Sequence, residues 1–273
     1  MRVPIRTRRS TQELKWLANA ANSPAQLRSF LRRNLRGEPL AYIIGTQPFG
    51  DLNLNVRPPV LIPRPETEEW TIKLSQLVSP NSSSRQLSVL DLGTGTGCIP
   101  LLLCHVWPKG AVRARGIDIS PVAVDLANEN AARCGFSPDN FKAIQANFLS
   151  PNFPENVPGL SPPFDIVTSN PPYIPWDEYL QLPKSVSRYE DPKALFGGPS
   201  GLEFYRAIAQ LISRDGFLSP GATVALEIGY NQAAAVRELL HASGFNTEVW
   251  FDAWRKERTI IAQHARSRPS FGS

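Results

Sequence analysis

The chain has few of the residues that build disulfide frameworks and metal sites. Its 273 residues include three cysteines, an odd number without a CxxC pair, and three widely separated histidines. These counts exclude a cysteine-rich scaffold and give no support for a thiolate metal site, so we predict no metal. No apolar run approaches the ~20 residues that cross a bilayer, so we expect a soluble protein that does not bind membranes.

The overall composition is that of a globular enzyme. Hydrophobic residues make up 42% of the chain and charged residues 19%, which excludes an intrinsically disordered protein. The 26 prolines and 18 glycines follow no repeat, which excludes a collagen-like chain and favours a loop-rich α/β protein. A chain of this length is sufficient for one large domain with a small appendage.

Positive charge is concentrated at the start of the chain. Residues 1–36 contain nine Lys or Arg side chains and one acid, so the remainder carries a net charge of −3 although the whole chain carries +5. The main domain therefore lacks the basic surface expected for nucleic acid as a direct substrate. Residues 1–11 hold four arginines and no acid, which is typical of an organellar transit peptide; a basic tail is the alternative.

Apolar spacing divides the rest of the chain into three parts. Residues 12–36 predict a short helical segment, with two helices on either side of a turn. Residues 37–60 predict a β-hairpin linker, with strands in 40–49 and 52–56. Residues 61–265 form the main domain, which opens with a helix from about Glu66 to Val78 whose first turn is acidic.

Strand and helix patterns alternate from residue 86 onward. This alternation predicts an α/β fold in which a mostly parallel sheet carries helices on both faces. The last two strand patterns follow one another without a helix, which predicts a C-terminal antiparallel hairpin. The predicted strands are LSVLDL, VRARGIDI, FKAIQA, FDIVTS, TVALEI, TEVWF and RTIIAQ, and the main predicted helices start at Cys98, Pro121, Leu202 and Gln232.

A glycine-rich turn follows the first strand of this alternating region. The segment DLGTGTG, residues 91–97, lets the backbone approach a ligand closely and ends at a helix N-terminus with unpaired N–H groups. The dinucleotide fingerprint G-x-G-x-x-G would need glycine at position 98, where this chain has Cys98. The turn therefore predicts a ligand site but weighs against a nicotinamide-dependent dehydrogenase.

An acid, Asp118, ends the next predicted strand. A carboxylate at this place in an open α/β sheet accepts hydrogen bonds from ribose hydroxyls, and we prefer this role. The alternative is a cap on the following helix, for which Ser120 is equally suited.

The segment SNPPY, residues 169–173, ends the fourth predicted strand at the sheet edge where such folds bind substrates. Pro171 and Pro172 stiffen the turn, so the Asn170 side-chain oxygen and the Pro171 carbonyl are fixed as acceptors for the two hydrogens of one NH2 group. Tyr173 offers an aromatic face to a flat substrate group. A proline-rich turn that merely ends a strand is the alternative.

These motifs together resemble those of class I S-adenosylmethionine-dependent methyltransferases. The resemblance implies a Rossmann-like sheet and S-adenosylmethionine as cofactor. It implies that Gly93, Thr94, Gly95, Thr96 and Gly97 wrap the methionine part of the cofactor and that Asp118 holds the ribose. Asn147 and Phe148 stand where the family usually has an acid and an aromatic beside the adenine, and Asn170 adjoins the cofactor as well as the substrate.

Longer blocks resemble the HemK/PrmC family of protein glutamine methyltransferases, from about residue 36 to 263. They are GEPLAYIIGTQPFGDLNLNV, LIPRPETE, DLGTGTGCI, SNPPYI, RYEDPKALFGGPSGLEFYRAI, LEIG and RKERTIIA. The resemblance implies that a peptide-chain release factor is the partner and that the glutamine of its GGQ motif is methylated. Asn170, Pro171, Pro172 and Tyr173 would then hold the glutamine amide, with Asn170, Pro171 and Tyr173 as the catalytic group.

The same resemblance suggests roles for residues around the pocket. The LIPRPETE segment would lie over it, with Arg64 and Glu66 either in the pocket or at a capped helix start. Glu190 would pair with Arg188 or order the active-site loop. Because the family normally has a longer N-terminal helical domain, the short basic start favours a mitochondrial enzyme of the matrix, with the cytoplasm as the alternative.

Two other functions stay open at this level. NPPY also occurs in methyltransferases that act on adenine or cytosine amines, which predicts a nucleic-acid substrate with a flipped base. A catalytically silent methyltransferase-like binding subunit is the second. The sequence does not specify the oligomeric state.

Overall fold

The computed structural model describes residues 11–80 and 85–264. The predicted transit segment lies outside the described residues except for Thr11, which begins the first helix. Among the helices described, none combines the length and the apolar character needed to span a membrane.

The N-terminal part contains three helices and a small hairpin. Helices α1 (Thr11–Ala20) and α2 (Pro24–Leu35) confirm the two predicted helices, and the Ser23 hydroxyl caps α2 by accepting from the Gln26 N–H at 3.2 Å. Residues 40–44, predicted as strand, form helix α3 (Leu40–Ile44), and strands β1 (Thr46–Phe49) and β2 (Leu52–Asn55) follow. The strand prediction for 40–44 was wrong because three of these five side chains are buried, a pattern that a helix packed on two sides produces as well as a strand.

The main domain is built on a seven-stranded sheet of order β5-β4-β3-β6-β7-β9-β8. The first five strands in this order are parallel, whereas β9 is antiparallel to both of its neighbours. This arrangement confirms the mostly parallel sheet and its C-terminal antiparallel hairpin. The strands are β3 (Leu87–Leu92), β4 (Val112–Asp118), β5 (Phe141–Gln145), β6 (Phe164–Ser169), β7 (Leu218–Glu227), β8 (Phe245–Phe251) and β9 (Glu257–His264).

Helices cover both faces of this sheet because its central strands are apolar on both sides. Val89 on β3 belongs to one hydrophobic cluster and its neighbour Leu90 to another, and Ile166 and Val167 on β6 divide in the same way. The helices are α4 (Pro65–Leu77), α5 (Cys98–Val106), α6 (Pro121–Arg133), the short α7 (Trp176–Tyr179), α8 (Lys184–Ser187) and α9 (Pro192–Leu195), then α10 (Glu203–Ile212) and α11 (Ala233–Ala242).

One buried asparagine joins the hairpin to the main domain. The Asn130 side-chain oxygen on α6 accepts from the Asn55 N–H at 2.7 Å, and its NH2 group donates to the carbonyls of Asn55 and Thr96 at 3.1 and 3.0 Å. Asn130 is 0% exposed, so no water replaces these bonds. A single side chain therefore ties β2 to the glycine-rich turn.

We expect Asn130→Ala to lower the free energy of unfolding by about 3 kcal/mol, since three buried hydrogen bonds are lost and each contributes about 1 kcal/mol. Urea denaturation measures the difference. Asn128→Ala is the matched control on the same helix, because Asn128 bonds only to the backbone of Ala143 on β5. Equal losses in the two variants would contradict a special role for Asn130 in holding the hairpin and the turn together.

Candidate active site

A cavity of about 320 Å³ opens at the carboxyl edge of the parallel strands. Its volume lies within the range of small-molecule sites. Its walls are formed mainly by the turns after β3, β4, β5 and β6, the segment that precedes α4 and the segment around α9, with single side chains from α4, α6 and α10. The lining residues are Pro59, Val60, Leu61, Pro63, Arg64, Thr67, Gly93, Thr94, Gly95, Thr96, Cys98, Ile99, Asp118, Ile119, Ser120, Ala123, Ala146, Asn147, Phe148, Leu149, Asn170, Pro172, Asp191, Lys193, Ala194 and Phe204.

The glycine-rich turn forms the floor of this cavity. Gly93 and Gly95 have φ angles of 71° and 55°, in the left-handed region that favours glycine. The N–H groups of Gly93 and Thr94 both donate to the Ile117 carbonyl on β4, at 2.8 and 2.9 Å. A Cβ atom at Gly93 would meet no atom within 4 Å, so the cavity reaches the backbone itself.

Asp118 joins two sides of the cavity. One carboxylate oxygen accepts from the Gly95 N–H and the other from the Ser120 N–H, both at 2.9 Å. The Ser120 hydroxyl, not Asp118, caps α6 by accepting from the Ala123 N–H at 3.4 Å. Burial raises the pKa of Asp118, and the two backbone N–H groups oppose that rise. Ser120 therefore caps the helix in place of Asp118, and the Asp118 carboxylate keeps lone pairs for a ligand in the cavity.

The far end of the cavity has apolar walls. Phe148 contacts Phe204 with ring centroids 6.1 Å apart, and Ile119 is 54% exposed beside them. Asn147 accepts from the Leu149 N–H at 3.0 Å, so its carboxamide oxygen shapes the turn after β5. This end suits a flat, weakly polar ring.

Asn170 presents an acceptor to the cavity. Its NH2 group donates to the Thr67 hydroxyl oxygen at 3.2 Å, which leaves the side-chain oxygen Oδ1 without a protein partner in the ranges described. The preceding residue is fixed, because the Ser169 hydroxyl donates to the Leu92 carbonyl at 2.7 Å. An amide oxygen held in this way accepts from an NH2 group without first breaking a bond of its own.

Tyr173 lies behind this acceptor rather than on the cavity wall. Its carbonyl accepts from the Gln232 side-chain N–H at 2.9 Å. Burial, and to a smaller extent the charge of the Glu227 carboxyl, raises the pKa of the Tyr173 phenol well above its ordinary value. Tyr173 therefore keeps its proton. Pro171 also lies off the wall and is buried, whereas Pro172 lines the cavity.

Two loops close over the cavity and are tied together. The Arg64 guanidinium donates to the Glu190 carboxylate at 2.5 Å, and the Asp191 N–H donates to the Pro59 carbonyl at 2.8 Å. The predicted pairing of Glu190 with Arg188 was wrong, because Glu190 faces inward with its side chain 1% exposed while Arg188 is exposed. Burial raises the pKa of Glu190, and the positive charge of Arg64 opposes that rise.

Most of the predicted site residues meet at this one cavity. Gly93, Thr94, Gly95, Thr96, Asp118, Asn147, Phe148, Asn170 and Pro172 line it. Gly97 does not, since a Cβ atom there would lie 3.3 Å from Ala127 and 3.2 Å from Leu101 in the core. The LIPRPETE segment lies over the cavity as expected, but the sequence analysis gave Thr67 no individual role and missed Phe204 and the 191–194 segment. The helical spacing that places Thr67 beside Trp70 on one face of α4 was the available signal for the role of Thr67.

Gly197 allows a second chain segment to hold the NPPY turn. The Ile174 N–H donates to the Leu195 carbonyl and the Gly197 N–H donates to the Ile174 carbonyl, at 3.0 and 2.9 Å. A Cβ atom at Gly197 would lie 2.7 Å from both the Pro172 carbonyl oxygen and the Tyr173 Cα, which are backbone atoms that cannot turn aside. Only glycine fits here.

Comparison with known proteins places this cavity in a methyltransferase domain. Residues 83–211 match a family model described as a methyltransferase domain. The chain is 39% identical over 232 residues to a release factor glutamine methyltransferase of Moorella thermoacetica, covering 84% of this chain and 76% of that protein. It is 36% identical over 259 residues to a release factor glutamine methyltransferase of Lactococcus lactis, covering 94% and 85%.

Solved structures agree on the architecture. The human methyltransferase 10 domain containing protein has a TM-score of 0.56 to this chain at 18% identity, covering 80% of this chain and 91% of that one. At this identity the similarity concerns the fold alone. It agrees with the Rossmann-like class I methyltransferase sheet predicted from the sequence.

We expect Gly197→Ala to lower the free energy of unfolding by about 1–3 kcal/mol, the usual cost of forcing atoms into a packed site. The strain falls on the Pro172 and Tyr173 backbone, so we also expect turnover to fall. Urea denaturation and the methylation rate test the two effects. Wild-type values for both would show that the NPPY turn shifts freely and is not held by this contact.

Proposed function

The chain belongs to the release factor glutamine methyltransferase family, and from this membership we propose its reaction and substrate. The enzyme transfers a methyl group from S-adenosylmethionine to the side-chain amide nitrogen of the glutamine in the GGQ motif of a peptide-chain release factor. The observation that carries the proposal is the Asn170 side-chain oxygen, which has no protein partner among the described residues and belongs to a residue that lines the same cavity as the glycine-rich turn and Asp118.

The cavity fits the cofactor that methyltransferases of this class use. The open space against Gly93 accepts the methionine part of the cofactor, which a side chain at position 93 would displace. Asp118 keeps acceptor capacity for ribose hydroxyls after binding the Gly95 and Ser120 N–H groups. The apolar end beside Phe148 and Ile119 suits the adenine ring. S-adenosylmethionine would supply a methyl group on a positively charged sulfur, which is the electrophile of the reaction.

The chemical difficulty lies in the nucleophile. The lone pair of a glutamine amide nitrogen is delocalised into the carbonyl, so the nitrogen reacts poorly unless it is oriented. Two acceptors that take both hydrogens fix the NH2 plane and withdraw positive charge as the new N–C bond forms. Asn170 Oδ1 is the acceptor on the cavity wall in our proposal; the second is expected from the sequence to be the Pro171 carbonyl, although Pro171 itself lies off that wall.

Orientation by neutral acceptors makes a strong base unnecessary. As the N–C bond forms and the bond from sulfur to the methyl group breaks, the nitrogen becomes acidic and gives up one hydrogen as a proton. The fixed acceptors hold that hydrogen until it is lost to water. Tyr173 keeps its proton and supports the turn, consistent with its raised pKa.

The N-terminal helices offer a basic surface to the release factor. Arg28, Arg32 and Arg36 are exposed on and just after α2, which gives the N-terminal helices a basic surface for a protein partner. We further propose that the enzyme acts in the mitochondrial matrix, on the basis of the arginine-rich residues 1–11.

The direct test is mass spectrometry of a GGQ-containing release factor after incubation with the enzyme and labelled S-adenosylmethionine. We expect one methyl group on the GGQ glutamine and a loss of about 100-fold or more in rate for Asn170→Ala, since the acceptor that orients the amide is removed. Asn53→Ala, an exposed asparagine on β2, is the matched control and should retain the wild-type rate.

Parallel incubations with unmodified DNA and RNA separate the alternatives. Label on a nucleic acid, with none on the glutamine, would overturn the substrate assignment in favour of an exocyclic amine. If the protein binds S-adenosylmethionine but transfers no methyl group to the release factor, DNA or RNA, a catalytically silent binding subunit would be favoured.

Asp118→Asn should weaken S-adenosylmethionine binding by about 10- to 100-fold. A hydrogen bond to a charged group contributes about 1.5–3 kcal/mol, and asparagine retains only one acceptor oxygen for the Gly95 N–H, the Ser120 N–H and the ribose. Isothermal titration calorimetry measures the affinity, with Asp125→Asn on the exposed face of α6 as the control. An unchanged affinity would remove Asp118 from the cofactor site.

A further inference from the structure

A chain of hydrogen bonds runs from the sheet to Asn170 through Trp70, Glu227 and Thr67, three side chains to which the sequence analysis assigned no individual role. The Trp70 indole N–H donates to Glu227 Oε2 at 2.9 Å, and the Thr67 hydroxyl donates to the same oxygen at 2.6 Å. The Thr67 oxygen then accepts from the Asn170 NH2 group at 3.2 Å. All of these groups except Asn170 are at least 97% buried, with exposed fractions of 3% for Trp70, 2% for Thr67 and 1% for Glu227.

The direction of this chain is fixed at its far end. An indole nitrogen only donates, so Glu227 Oε2 accepts from Trp70. In the ionised carboxylate, which the nearby Arg258 charge and the two donors favour, this oxygen carries no hydrogen of its own. The hydroxyl at 2.6 Å from that oxygen must therefore give its single hydrogen to Oε2. The Thr67 oxygen has only lone pairs left, and the group that faces it from Asn170 must be the NH2.

The direction of these hydrogen bonds determines which group Asn170 offers to the substrate amide. An amide with its NH2 turned to Thr67 directs its oxygen elsewhere, and Asn170 lines the cavity. The reverse orientation would present hydrogens to the substrate amide, which also brings hydrogens, and no bond would form. We propose that Thr67, Glu227 and Trp70 are positioning residues that set the orientation of the Asn170 amide so that it accepts from the substrate NH2 group.

The fold supplies the geometry without strain. Ser169 pairs with Leu226 in the parallel register of β6 and β7, so Asn170 and Glu227 leave neighbouring strands at the same level. Thr67 and Trp70 lie three residues apart on α4, on one face of the helix. Burial raises the pKa of Glu227, and the bonds from Thr67 and Trp70 oppose that rise, as does the nearby Arg258 charge.

The role in catalysis rests on the proposed function, but the orientation itself does not. The kinetic test compares Thr67→Val, which keeps the shape of the side chain and loses the hydroxyl, with Thr67→Ser, which restores it. We expect Thr67→Val to lower kcat by about 10- to 100-fold with S-adenosylmethionine affinity within twofold of wild type, and Thr67→Ser to recover most of the rate. Thr71→Val removes a buried hydroxyl one turn along the same helix, where it bonds only to the Thr67 carbonyl, and should keep the wild-type kcat.

A second readout does not depend on enzymatic activity. In a 15N-labelled wild-type protein, the Asn170 side-chain NH2 signals, assigned by their loss in Asn170→Ala, should exchange with water more slowly than those of exposed Asn53. In Thr67→Val they should shift and exchange faster, and in Thr71→Val they should not change. If Thr67→Val fails to fold, the wild-type measurement still tests the proposal, because an Asn170 amide that exchanges as fast as that of Asn53 contradicts the bond to Thr67.

The outcomes separate the two proposals. If the wild-type enzyme leaves the release factor unmethylated but its Asn170 amide exchanges slowly, the substrate assignment is overturned. The proposed orientation of the Asn170 amide is then still supported. If the wild-type enzyme methylates the glutamine, either of two results overturns the positioning role of Thr67. One is an equal kcat in Thr67→Val and Thr71→Val, and the other is an Asn170 amide that exchanges freely.

Discussion

Parallel pairing of β3, β6 and β7 is the constraint on which the site depends. Leu92 pairs with Ser169, and Ser169 pairs with Leu226, so the residues that follow them leave the sheet at one level. The turn at Gly93, the acceptor at Asn170 and the carboxyl of Glu227 are neighbours for this reason alone. A shift of register by one residue would turn each of these side chains to the other face and separate them.

Polar groups collected at one sheet edge must find partners, and the chain before the sheet provides them. Helix α4 brings Thr67 and Trp70 to Glu227, which would otherwise be a buried carboxyl with two fewer donors. The segment just ahead of α4 is fixed by the Tyr42 hydroxyl, which donates to the Val60 carbonyl at 2.6 Å. The N-terminal region therefore helps to hold the cavity-lining segment that precedes α4.

Sequence reasoning predicted the sheet well because its strands are short apolar runs between clear turn signals. The same reasoning placed Gly93, Asp118 and Asn170 together, since each lies at or directly after the end of a strand and the ends of parallel strands share an edge. It failed where the outcome depends on contacts far apart in the chain. Of the two roles expected for Glu190, pairing with its near neighbour Arg188 was wrong, because the structure pairs it with Arg64, 126 residues earlier, and so ties its loop to the segment before α4.

The chain of bonds behind Asn170 also accounts for the amide at this position. An aspartate would have the same shape but only lone pairs to offer. It would face a Thr67 oxygen whose hydrogen already goes to Glu227, so two acceptors would meet with no hydrogen between them. A second carboxylate would also lie close to the buried Glu227 and raise the cost of ionising both. With Thr67 and Glu227 in place, asparagine is the side chain that satisfies its neighbours and still presents an oxygen to the substrate.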